Sequence, residues 1–269
     1  MTKLKKIIDC HCHIYPDKIA EKASESIGKF YSLPMAYHGT ATEMIKERNA
    51  AGITHSVVFS VATKPSQVKS INRFIAEEVK TYPNLCGLGA AHPDSDDILG
   101  DIHNIIELGL KGVKLHPDIQ GIAIDDPRCF KIYELCVEND LLLLLHMGDM
   151  RYDFSHPSRL VNVLKVFPKL RVIGAHFGGW GLWKDAEEIL RSYQDFWVDC
   201  SSSFAFLDKA DAVKLIRAYG SKRVLFGTDY PMWDFKKELE RFAALGLEQD
   251  ECDDILYKNA EILFFNDEK

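Results

Sequence analysis

The sequence predicts an α/β fold, a (β/α)8 TIM barrel with an extra C-terminal helix, formed by residues 1–269 as a single domain. Three observations lead there. Short apolar runs rich in Val, Ile and Leu alternate with stretches of helical period along the whole chain. The alternation gives eight strand–helix pairs with no polar linker or compositional break between them. A length of 269 residues suits one α/β barrel, whose strands are covered on both faces and so read as unbroken apolar runs.

The strands are expected at 6–13, 54–60, 85–91, 112–116, 141–146, 171–176, 197–201 and 223–227. Between them, 66–80 places Val68, Ile71, Ile75 and Val79 at helical steps and stops at Pro83, and 96–108 repeats the pattern up to Gly109. Further helices are expected at 129–138, 157–167, 184–192, 209–219 and 235–245, with the extra one at 251–263. The connection 15–40, with a helix at 17–27, exceeds a normal βα loop and reads as a flap over the barrel mouth. An open doubly wound sheet is the competing architecture. Its first strand usually leads into a Gly-rich phosphate loop, and here that place holds His-Cys-His-Ile-Tyr-Pro.

Composition narrows the function classes. With 46% hydrophobic and 27% charged residues the chain is neither disordered nor fibrous. A net charge of −7 offers no overall attraction to nucleic acid or anionic lipid, so a small-molecule substrate is the expected partner, and homo-oligomers stay open. Residues 1–8 lack the apolar core of a secretory leader, and the longest apolar run, 141–145, is too short to span a bilayer. A cytoplasmic location is therefore expected. Seven cysteines, an odd number without framework spacing, read as reduced thiols.

In a barrel, polar residues that close an apolar strand face the active site. Five strands close this way: Asp9-Cys-His11-Cys-His13, Lys114-Leu-His116, Leu145-His146, Ala175-His176 and Gly227-Thr228-Asp229. Strand period puts His11 and His13 on one face, which suits a metal; the rival is that Cys10 and Cys12 face inward instead. His11, His13, His146 and Asp229 are the expected ligands of one divalent metal ion, with Zn²⁺ first and Mn²⁺, Fe²⁺ and Co²⁺ also compatible. Asp229 alternatively caps the following helix. His176 reads first as an acid/base beside the metal, with a further ligand or a supporting hydrogen-bonding residue as alternatives. His116, Arg151, Tyr152 and Trp180 are the candidate substrate contacts: a guanidinium can grip a carboxylate, and Trp180 in Phe177-Gly-Gly-Trp180 can wall a pocket. His92 and Ser201 to Ser203 lie on the same rim by topology.

These motifs together, His11-x-His13, the His after strand 5, His176-x-Gly-Gly and Gly-Thr-Asp229-Tyr-Pro, resemble the amidohydrolase superfamily over nearly the whole chain. Within it, the chain looks similar to the amidohydrolase-related branch that includes aminocarboxymuconate semialdehyde decarboxylase-like enzymes. The resemblance implies a distorted TIM barrel with one metal on His11, His13, His146 and Asp229, and His176 and Asp229 handling the protons of a metal-activated water. One departure concerns Lys114: binuclear relatives bridge two metals with a carboxylated lysine at the end of strand 4, but Lys114 lies before the strand end, so a charged lysine paired with a neighbouring carboxylate stands against a second metal there. The expected activity is a metal-dependent hydrolase of a small, carboxylated substrate. The alternative is a lyase, a non-oxidative metal-dependent decarboxylase of an aromatic or muconate-like acid.

Overall fold

Among the residues described by the computed structural model, 6–266, nine short parallel strands form the barrel wall. Residues 1–5, part of the N-terminal stretch considered above, and 267–269 lie outside the described residues. The strands are β1 (Ile8–His13), β2 (His55–Phe59), β3 (Leu85–Gly87), β4 (Gly89–Ala90), β5 (Gly112–Leu115), β6 (Leu142–Leu145), β7 (Val172–Gly174), β8 (Phe196–Asp199) and β9 (Val224–Leu225). There are nine rather than eight because the third expected strand is interrupted at Leu88. Its first half pairs with β2 and its second with β5, giving a three-stranded sheet β1-β2-β3 and a six-stranded sheet β4 to β9. Leu88 N–H donates to Val58 O at 2.9 Å and Lys111 N–H to Gly87 O at 2.9 Å, so hydrogen bonding runs across the break.

The other seam closes between the two ends of the chain. Cys10 N–H donates to Phe226 O at 2.8 Å, Asp229 N–H to His11 O at 2.9 Å and His13 N–H to Tyr230 O at 2.7 Å. Here β1 carries a bulge. Asp9 pairs with Ser56 but Cys12 with Val58, three steps on β1 against two on β2. Asp9 fills the bulge: its Oδ1 accepts from His11 N–H and from Thr228 N–H, each at 3.0 Å, and its Oδ2 from the Thr228 hydroxyl. The carboxylate therefore laces β1 to the segment after β9.

Side-chain alternation on these strands divides the apolar core in two. Ile8, Cys10, Val57, Leu88, Leu142, Leu144, Ile173, Ala175 and Leu225 fill the lower barrel interior, closed by Ala260 and Phe264 of the C-terminal segment. Val58, Val113, Leu115, Leu143, Leu145, Val172, Val198 and Val224 pack outward against the helices. Burial of these runs on both faces explains their unbroken apolar character.

Most helices fall where their period places them, with caps moving the ends. Asp97 caps Ile98–Glu107 and Asp126 caps Pro127–Glu138 through side chains that accept backbone N–H groups. The helix expected at 17–27 instead runs Ala20–Tyr31, which brings Tyr31 over the barrel. A helix at Ala41–Ala51, capped by Thr40, was not expected, because its buried face carries Arg48 beside Ala41 and Met44 and so shows no apolar stripe. The last helix begins at Gln249 and continues in two wide turns, Asp254–Lys258 and Glu261–Phe265. No helix among the described residues is long and apolar enough to cross a membrane.

Replacing Asp9 by Ala leaves two buried backbone donors and a hydroxyl unpaired at the seam. We expect Asp9→Ala to lose about 3 kcal/mol or more of stability in urea unfolding. A loss below about 0.5 kcal/mol would show that the bulge does not depend on this carboxylate.

Candidate functional site at the strand ends

The bulge in β1 decides what the barrel mouth contains. Because one extra residue is inserted after Asp9, Cys10 faces the apolar lower interior while His11, the next residue, also turns inward above it. The expected alternatives are thus both partly met: Cys10 points into the barrel, but beneath the histidines, where burial raises its thiol pKa well above the usual range. Cys12 packs outward, and burial likewise holds it protonated.

His11, His13 and Asp229 meet at the seam. His11 Nε2 lies 3.3 Å from His13 Nε2 and 3.4 Å from Asp229 Oδ1, and His13 Nε2 lies 3.5 Å from the same oxygen. A tetrahedral site with bonds of about 2.1 Å has edges of about 3.4 Å, so these three atoms have the spacing of a metal-binding face. His176 is close by: one ligand atom each from His11, His176 and Asp229 lie within 4.8 Å of one another. The His146 ring stands one step further out, its Nδ1 3.1 Å from His176 Nε2. Asp229 takes positive φ, 63°, a rare conformation for a non-glycine residue. The Ser202 hydroxyl holds its second carboxylate oxygen and in turn accepts from the Trp233 indole at 2.8 Å.

Under the imidazoles lies a polar support from the end of β8. His11 Nδ1 is 2.8 Å from Asp199 Oδ2, and the same carboxylate accepts from the backbone N–H of His176 at 3.2 Å and of Ser201 at 3.0 Å. Burial alone would raise the Asp199 carboxyl, but the adjoining His11 and His176 rings and the hydrogen bonds from the His11 ring and the Ser201 hydroxyl outweigh it and hold it below the usual carboxylate range. His176 Nδ1 lies 3.0 Å from Ser201 O, which makes Nδ1 the protonated nitrogen of the neutral ring and leaves Nε2 with its lone pair toward the cavity. Burial pushes His176 down to about 4 and His13, His116 and His146 well below the ordinary histidine value. At neutral pH these rings are uncharged, the form that binds metals.

A second polar group adjoins the first. The His116 and His146 rings stack at 3.8 Å and 9°, and Tyr31 from the helix Ala20–Tyr31 reaches down to them, its hydroxyl 2.8 Å from His116 Nε2 and 3.5 Å from His146 Nε2. His146 Nε2 also lies 3.1 Å from Gly148 O and 3.6 Å from Asp118 Oδ2. Burial raises the Asp118 carboxyl to about 6. Gly148 is required here: it has φ 77°, and a Cβ on it would lie 2.2 Å from Trp180 N. Above both groups opens a cavity of about 460 Å³, lined by His13, His116, His146, His176 and Asp229 and roofed by the helix Ala20–Tyr31. The long connection thus covers the barrel mouth.

The other candidates are distributed unevenly. His116 lines the cavity, and Trp180 stands at its edge, 5.5 Å from the Tyr31 ring. Arg151 pairs with Asp149 at 2.6 Å, donates to Phe30 O and stacks on Phe30, and neither it nor the exposed Tyr152 lines the cavity. His92 is buried and accepts from Asp94 N–H at 3.1 Å, away from the cavity lining. Lys114 lies fully buried, its ammonium lowered to about 8 by burial, 5.0 Å from the Phe59 ring and without a hydrogen-bond partner among the described residues. Asp199, Asp118 and Tyr31 were not anticipated. Asp199 had a readable signal, a carboxylate closing an apolar strand, but Tyr31 depends on where a helix ends.

Comparison with known proteins agrees with this architecture. A curated relative, the 2-amino-3-carboxymuconate-6-semialdehyde decarboxylase of Dictyostelium discoideum, is 25% identical over 224 residues, 66% of this chain and 61% of the relative. The match thus spans less than two thirds of that relative's length. An uncharacterized TIM-barrel protein of Bordetella bronchiseptica superposes with a TM-score of 0.79 at 24% identity, covering 96% of this chain and 98% of that one. The 5-carboxyvanillate decarboxylase of Novosphingobium aromaticivorans, solved with manganese and 4-hydroxy-3-methoxy-5-nitrobenzoic acid, gives 0.75 at 15% identity over 98% and 97% of the two chains. These structures share the TIM-barrel fold. The family model described as Amidohydrolase matches residues 8–265, and the chain belongs to that family.

Proposed function

We propose that the protein is a metal-dependent, non-oxidative decarboxylase of a small aromatic or muconate-like acid. The observation that carries the reading is the face formed by His11, His13 and Asp229 at 3.3 to 3.5 Å, with neutral His176 beside it in a covered cavity. Decarboxylases recur among the relatives whose reactions are named, which favours the lyase over the hydrolase expected first from the sequence. Hydrolysis has no support among the relatives described above.

One divalent ion would be held by His11, His13 and Asp229, with His146 as fourth ligand through Nδ1, since its Nε2 is turned to Gly148 O. Such an ion supplies positive charge that seats an anionic substrate oxygen and withdraws electron density from the conjugated system. The structure of the Novosphingobium enzyme contains manganese, and three imidazoles with one carboxylate suit zinc equally. Asp199 holds the His11 ring in place and fixes Nδ1 as its proton-bearing nitrogen, leaving Nε2 as donor atom.

His176 is the proton carrier in this reading. In a hydroxylated aromatic acid its Nε2 lone pair takes the proton of the ring hydroxyl and delivers it to the carbon that bears the carboxylate; in a muconate-like acid it delivers a proton taken from water. The bond from that carbon to the carboxylate then breaks, its electron pair returns to the conjugated system, CO₂ leaves, and the substrate oxygen left anionic takes a proton from water. Tyr31 and Trp180 close the site from above, limiting water at the carbon being protonated. Metal-loaded protein incubated with a panel of hydroxybenzoates and unsaturated diacids should release CO₂ from at least one; a panel giving only hydrolysis products from added esters and lactones would reverse the assignment.

Two predictions separate the roles. The purified protein should carry about one divalent ion per chain by elemental analysis, and His11→Ala should lose it; an unchanged metal content in that variant would end the assignment. His176→Asn should keep most of the metal yet lose at least about a hundredfold in kcat, whereas His146→Ala should lower occupancy. If His176→Asn empties the site as fully as His146→Ala, His176 is a ligand and another group carries the proton.

A further inference from the structure

The cavity has two unlike ends. Its floor is polar and carries the histidines and Asp229. One stretch of its wall is apolar: Ile27 from the covering helix, Ile71 and Phe74 from the helix Val68–Thr81, Ile119 from the short helix Pro117–Gln120 after β5, and Met232 from the segment after β9. No Lys or Arg is among the described residues that line it. Arg151 is committed to Asp149, and Lys114 lies below the floor against Phe59.

Three of the wall's hydroxyl groups are turned to the protein, while the Gln67 amide nitrogen and the Ser26 and Tyr15 hydroxyls also border the cavity. Ser60 donates to Ile14 O, Thr63 to the Gln67 side chain at 3.0 Å, and Ser70 to Gln67 O at 2.9 Å. The Gln67 side-chain oxygen is itself occupied by the backbone N–H groups of Thr63 and Lys64. A hydroxyl that has given its proton to the protein shows a ligand only lone pairs, which repel a carboxylate. An anionic group placed against Ile71 and Phe74 meets apolar surface and no cation.

We propose that the cavity takes monocarboxylic acids with an uncharged, apolar body and rejects acids whose second carboxylate must lie against the wall, with Ile71 and Phe74 setting the selection. This rests on the decarboxylase reading for the seat of the first carboxylate on the polar floor, and within that reading it selects aromatic monoacids over muconate-like diacids. It separates the chain from the Novosphingobium enzyme of the comparison, whose named substrate, a carboxyvanillate, bears two carboxyl groups.

The test is a matched pair of ligands, 3-isopropylbenzoate and isophthalate, whose second substituents are similar in shape and differ in charge. Calorimetric titration of manganese-loaded protein at neutral pH should show the monoacid binding at least about a hundredfold tighter. Ile71→Arg should raise isophthalate affinity at least about tenfold. Equal affinity of the wild-type protein for the two acids overturns the inference, whether or not the variant folds. If the monoacid binds with the expected preference and no acid of the hydroxybenzoate and unsaturated-diacid panel loses CO₂, the decarboxylase reading fails alone. If both acids bind alike and CO₂ is released, the selection fails alone. If neither binds, the floor is no seat for an acid and both fall.

Discussion

The constraint on which the site depends is closure of the barrel between the first strand and the segment after the last. Three backbone hydrogen bonds, from Cys10, Asp229 and His13, join pieces of chain more than two hundred residues apart. They run through the same residues that form the donor face, so the register of the seam and the spacing of His11, His13 and Asp229 are one property. Asp9 belongs to this closure. It fixes the bulge, and the bulge turns His11 inward above Cys10. A simple alternating strand would have sent His11 to the opposite face from Cys10.

A second constraint is electrostatic. Five imidazoles, from His11, His13, His116, His146 and His176, are gathered at the barrel mouth, four of them nearly buried, with Asp229 among them and Asp199 beneath. Burial holds His13, His116, His146 and His176 neutral, so these four rings carry no charge to set against the carboxylates. A bound cation compensates them without asking any ring to protonate in a poorly hydrated place. Asp199 and Ser201 meanwhile orient His11 and His176 from below, which lets neighbouring histidines serve different purposes.

Much of this was legible in the amino-acid sequence, for a physical reason. Strands buried on both faces must be apolar, so a polar residue ending one of them stands out, and His11, His13, His116, His146, His176 and Asp229 were all visible that way. Less visible were features that depend on three-dimensional closure. The bulge in β1 has no local composition signal, and the break at Leu88 lies within an apolar run. The helix Ala41–Ala51 escaped because a buried Arg48, bonded to Ser56 at 2.9 Å, replaces an apolar residue on its inner face. Arg151 looked like a carboxylate clamp from its position after β6, but Asp149, two residues earlier, already holds it. Pairing within a loop cannot be inferred from strand order.

The claim that joins fold to function is that a proton, carried by His176, replaces CO₂ on carbon. The most direct measurement is turnover of a decarboxylated acid in ²H₂O, and separately in H₂¹⁸O, with the product examined by mass spectrometry and proton NMR. The account predicts one deuterium on the carbon that carried the carboxylate and no ¹⁸O in the organic product. A product that gains ¹⁸O and no carbon-bound deuterium would contradict it and make the protein a hydrolase.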